Sequence, residues 1–143
     1  MTMTFKEMNA AVMLLGAVVI SAWVLKDAIG DPALTLSAVA TRLCWAILAS
    51  VVFNIVAIIV FTILISIAQG REFKDEQADE RDRLVGAKAM RNAYVVASLA
   101  GLAALIVWAL GYEVTTGVYV LYGGLMLAGA VDAVSQLVYY RIG

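Results

Sequence analysis

The sequence predicts an all-α protein, a bundle of four transmembrane helices with both termini and one long charged loop in the cytoplasm. Three observations carry that expectation. The 143 residues are 64% hydrophobic and 15% charged, whereas soluble domains run near half apolar and a quarter charged. Four segments, about 9–25, 43–68, 93–112 and 118–140, approach or exceed the roughly 20 apolar residues needed to cross a hydrocarbon core about 30 Å thick. The ten cations are distributed unevenly. Lys6, Arg71, Lys74, Arg81, Arg83, Lys88, Arg91 and Arg141 share one side of a four-span topology, leaving Lys26 and Arg42 opposite. Eight against two is a strong positive-inside bias, which places the shared side in the cytoplasm of a multi-pass inner (plasma) membrane protein.

The first apolar run leads into Lys26-Asp27 without a small-residue cleavage site, so it reads as a retained span and not as a signal peptide. Asp31-Pro32 reads as a helix start, Asp capping and Pro at the first helical position, with 33–41 as an interfacial or kinked lead-in. Span two would measure roughly 39 Å and should tilt or protrude. Trp23, Trp45 and Trp108 fall near the outer ends of their spans, and Tyr94, Tyr139 and Tyr140 near the inner ends, as interfacial belts do. The single cysteine, Cys44, lies in an apolar segment and reads as a small buried thiol. There is no histidine, which excludes bis-histidine haem ligation and the common catalytic zinc sites. With no nucleophile–base set either, neither an enzyme nor a cofactor is expected.

Most of the functional information lies in the charged segment 71–92, REFKDEQADERDRLVGAKAMRN. Arg71/Asp75 and Asp79/Arg83 are opposite charges four apart, each pair contributing a few tenths of a kcal/mol. The acid-rich start at Asp79 suits a helix N-terminus. Span three is therefore expected to begin there and stand roughly 20 Å out of the bilayer. Leu84, Ala87, Met90 or Arg91, and Tyr94 follow helical spacing, widened by Val85 and Ala89. This strip either packs on the end of span two or docks a soluble protein. Asp79, Glu80, Arg81, Asp82, Arg83 and Leu84, followed by Lys88-Ala89 at the foot of a span, resemble a signature of small prokaryotic four-helix membrane proteins. Their relatives are typically paired with a helix-turn-helix or LytTR-type DNA-binding regulator. The resemblance implies a membrane anti-activator that sequesters its regulator, with Asp79, Glu80, Arg81, Asp82, Arg83, Leu84, Lys88 and Arg91 as the partner-binding set. No basic run of the kind that binds nucleic acid directly is present.

Within the apolar segments, Asp132 and Gln136 of span four and Ser50 and Asn54 of span two are expected to form one polar cluster, an Asp132–Asn54 hydrogen bond joining the helices. An intramembrane acid also opens a second reading, a small proton-coupled multidrug-type transporter built on Asp132. A third, a toxin immunity protein, would use the sparse outer face around 27–42. Small residues four apart, Ala17/Ser21, Ala97/Gly101, Gly124/Ala128 and Gly129/Ala133, point to close helix packing, with homodimerisation left open.

Overall fold

The computed structural model describes residues 5–31, 35–69 and 79–142. They form four helices, α1 Phe5–Gly30, α2 Leu36–Gln69, α3 Glu80–Ala109 and α4 Val114–Ile142. Each is long and apolar enough to cross a membrane. A helix satisfies its own backbone donors and acceptors, which is what a chain needs where no water can do so. The charged stretch before Asp79, including the Arg71/Asp75 pair, lies outside the described residues, as does Pro32.

Two helix starts are set by side chains. α2 opens at Leu36, where Thr35 accepts from the Ala38 amide through Oγ1 (3.3 Å) and from the Val39 amide through its carbonyl (3.0 Å). Pro32 of the expected Asp31-Pro32 start lies outside the described residues, and the described part of α2 begins at Leu36. Asp31 instead closes α1, its amide donating to the Asp27 carbonyl (3.2 Å). The residues from Leu36 onward belong to one continuous 34-residue helix, roughly 51 Å long. α3 opens on a capping box, the Asp79 carboxylate accepting from the Asp82 amide (2.7 Å) and the Asp82 carboxylate from the Asp79 amide (3.2 Å). Asp79 is thereby committed to the cap and not to the expected pair with Arg83.

The turn from α3 to α4 is equally determined. The Gly111 amide donates to the Trp108 carbonyl (3.0 Å) and the Tyr112 amide to the Val107 carbonyl (3.2 Å). This is a Schellman closure, and it needs a left-handed residue after the cap. Gly111 supplies it at φ +83°.

The helices are arranged α2–α1–α4–α3. α3 packs along α4, α4 also packs on α1, and α1 on α2. Among the described residues α2 and α3 do not touch. The closest approach is between α3 and α4. A Cβ added at Gly124 would lie 2.1 Å from the Ala100 Cβ, and one at Gly117 would lie 2.0 Å from the Trp108 Nε1. The same indole donates to the Val114 carbonyl (3.2 Å). On the other side, Gly16 of α1 receives Phe53 and Asn54 of α2, while Arg42 reaches Asp27 and Asp31 at 2.7 and 3.7 Å. Ile20, Val39, Leu43, Ala46 and Tyr122 close the core where α1, α2 and α4 meet. The small-residue pairs divide accordingly. Gly124/Ala128 does lie at a contact, but Gly101 and Gly129 face open space, and Gly16 replaces Ala17 as the close point on α1.

α2 buries only Val39, Leu43 and Ala46. The rest of its apolar surface, from Ile47 to Ile67, is largely exposed. A helix that is apolar all round and exposed in its own protein suits a lipid solvent. Cys44 shares that outward surface and is exposed, which corrects the buried thiol. It points away from α1, the only helix that covers much of α2. Arg91 and Trp108 mark the limits of the apolar stretch of α3, roughly 26 Å apart along the helix.

Gly124→Val should push α3 from α4 and lower unfolding stability in detergent by about 1–3 kcal/mol. Gly101→Val, with nothing within 4 Å of its Cβ, should change it little. Equal effects of the two would mean that the α3–α4 contact does not control packing.

Candidate functional site: the charged end of the bundle

Asp82 joins three helices at one end of the bundle. Its Oδ2 pairs with Lys6 Nζ, from the first turn of α1. Its Oδ1 accepts from the Tyr140 hydroxyl (3.0 Å), in the last turn of α4. Beside it, Arg81 Nη2 donates to the Tyr140 carbonyl (3.0 Å), so a guanidinium meets the negative end of the α4 dipole. The Lys6 and Asp82 side chains retain 24% and 20% exposure, enough shielding for the pair to outweigh a fully solvated one. The Lys6 ammonium holds the Asp82 carboxyl below the ordinary carboxylate range, helped by the Asp79 amide and the Tyr140 hydroxyl, while partial burial opposes them.

Nearly three turns further along α3, Asn92 Nδ2 donates to Ser135 Oγ and the Tyr139 hydroxyl, both at 3.1 Å, and Lys88 Nζ lies 5.8 Å from the Tyr139 ring centre. Lys6, Asn92, Tyr139 and Tyr140 were absent from the expected site. The four-span topology put the termini at the same end as this segment, but the pairings depend on helix register.

The remaining residues of the expected partner-binding set face outward. Glu80, Arg83, Leu84, Lys88 and Arg91 are exposed, Leu84 at 61%. Val85 and Ala89 are buried instead, so the expected strip splits. Its Val85/Ala89 part turns inward, and its Leu84/Ala87/Met90/Tyr94 part lies open. That open part does not pack on α2 as expected: Leu84, Met90 and Tyr94 are exposed, and among the described residues the backbones of α2 and α3 do not come close.

The expected intramembrane cluster also separates. Asn54 Nδ2 donates to the Ser50 carbonyl (2.8 Å), and its Oδ1 is buried with no partner among the described residues. Asp132 accepts from Gln136 Nε2 (3.0 Å), one turn along its own helix. The register explains why no Asp132–Asn54 bond forms. Asn54 lies opposite Gly16, one turn from the level of Tyr122 in the shared core. Asp132 lies one turn from Ser135, which faces Asn92. The two side chains are therefore offset by roughly 8 Å along the bundle. Asp132 sits near the foot of the apolar run, close to the level of Arg91.

The chain is thus an all-α protein of four membrane-crossing-length helices, with an ion-paired, hydrogen-bonded end. Comparison with protein families, curated proteins and solved structures finds no match for it.

Asp82→Asn should lower stability by about 1–2 kcal/mol through loss of charge-assisted hydrogen bonds. Because the folded carboxyl sits below its unfolded value, its contribution is complete above the ordinary carboxylate range. It is lost as pH falls through the lowered value, below about pH 4. Unfolding midpoints measured from pH 7 to pH 3 should therefore converge for the parent and the Asn variant at the acid end. Parallel curves would remove Asp82 as the titrating group.

Proposed function

We propose that this is a multi-pass inner-membrane regulatory protein, N-in and C-in, which holds a cytosolic partner at the exposed end of α3 and releases it on a signal. The orientation is supported by the eight-to-two division of Lys and Arg. The observation that carries the docking role is the exposure of Leu84, with Glu80 and Arg83 also exposed beside it. Leu84 stands roughly 14 Å beyond residue 93, where the apolar run begins. An apolar side chain held open in water on a capped, ion-paired helix is a pre-ordered anchor, with little ordering entropy left to lose on binding. The resemblance of the 79–89 segment to membrane anti-activators makes the partner a DNA-binding transcription regulator, kept from its target by equilibrium sequestration. A signal that altered binding by about 1.4 kcal/mol would change release tenfold.

The carrier reading has less support. Asp132 lies near the level of Arg91, with Gln136 of its own helix as its hydrogen-bond partner, and not at mid-depth between helices. For the immunity reading, Arg42 at the opposite end is already paired with Asp27 and Asp31.

Affinity-tagged protein should co-purify a small DNA-binding protein encoded beside it, and Leu84→Asp with Arg83→Glu should lose that partner while the chain remains folded. Retention of the partner by this variant would sink the docking surface. Asp132→Asn should leave proton-coupled uptake by proteoliposomes at the background of empty vesicles, as in the parent. Uptake that the substitution abolishes would favour the carrier.

A further inference from the structure

The charged segment looks balanced in sequence, but of its three described acids, Asp79, Glu80 and Asp82, two are already engaged. Asp79 is taken by the α3 cap and Asp82 by Lys6, Tyr140 and the cap. On the outward face of α3, Arg83, Lys88 and Arg91 remain exposed, and among the described residues no carboxylate pairs with any of them. The three cations do not share one level. Arg83 is beside Leu84, whereas Lys88 and Arg91 flank the turn at which the helix becomes apolar. Tyr94, Val95, Leu99 and Leu102 follow directly on exposed surface of the same helix, Tyr94 at 72%. Two cations above a continuous apolar strip, roughly 16 Å from Arg91 to Leu102, match a molecule with an anionic head and a hydrocarbon tail.

We propose that Lys88 and Arg91 form a binding site for an anionic phospholipid, its phosphate between the two cations and an acyl chain along Val95, Leu99 and Leu102. The site rests on the reading that the chain spans a bilayer, and it is independent of the cytosolic partner. It also divides the expected partner-binding set, leaving Glu80, Arg83 and Leu84 to protein and Lys88 and Arg91 to lipid. The position of the Lys88 ammonium beside the Tyr139 ring and the Asn92–Tyr139 bond hold the head-group end of the site in a fixed place against α4.

Full-length protein in detergent, titrated with dioleoylphosphatidylglycerol or dioleoylphosphatidylcholine and followed by native mass spectrometry, tests the site. Phosphatidylglycerol should bind roughly tenfold or more tightly than phosphatidylcholine, since each cation near a head group contributes several-fold. That preference should vanish in the Lys88→Gln/Arg91→Gln variant and survive in Lys88→Arg/Arg91→Lys and in Arg83→Gln. Equal binding of the two lipids by the parent, or a preference untouched by the double Gln variant, overturns the proposal. So does a double Gln variant that keeps the lipid preference but loses the co-purifying protein, since Lys88 and Arg91 would then belong to the protein-docking surface. Flotation of the protein with carbonate-washed liposomes distinguishes the underlying reading. A chain that fails to float does not span a bilayer, whereas one that floats without lipid preference spans it and lacks the site.

Discussion

The close approach of α3 and α4, with Ala100 against Gly124 and Trp108 over Gly117, is the contact on which the rest of the arrangement depends. Helices in lipid gain little from hiding apolar surface from one another, so association rests on dispersion contacts between backbones brought near. Small residues permit that approach, and the indole that covers Gly117 also reaches the first turn of α4 through Val114. Once the two helices are in this register, their other ends are determined. Asn92 must face Ser135 and Tyr139, and Asp82 must face Tyr140.

That second end is where a packing constraint becomes a chemical one. A carboxylate held near a helix C-terminus would be repelled by the dipole unless cations attended it. Arg81 and Lys6 supply them, and Lys6 thereby recruits α1, which packs on α4. Among the described residues of this end, Asp79 and Asp82 are engaged, Glu80 is exposed, and Arg83, Lys88 and Arg91 are open.

α2 stands apart from this scheme. It touches α1 and, more lightly, α4, and buries no side chain beyond Ala46. Elements with few buried contacts belong to the low-stability end of a structure. Movement of its second half would leave the α1–α3–α4 contacts at Asp82 in place. α2 is the helix whose displacement is opposed by the fewest contacts. The Asn54 Oδ1 at its interface with α1, with no partner among the described residues, is a further place where alternative pairing would come at small cost.

Helix number, helix type and the start of α3 at Asp79 were legible in the residues because each rests on short-range physics. Apolar length, a carboxylate three residues from a backbone amide and a glycine after a helix end all act within a few turns. Leu84 and the neighbouring charges were equally visible as candidates. What the residues could not reveal was which faces meet. Val85 and Leu84 are adjacent in the chain and almost equally apolar, yet one is buried and the other open. Asn54 and Asp132 stood at similar counted depths and were expected to bond, until the helix offsets separated them. Local pattern determined the elements and their ends. Register and neighbour order, set by the small-residue contacts between helices distant in sequence, decided the pairings, because a rotation or slip of one helix exchanges every side chain it presents without altering its composition.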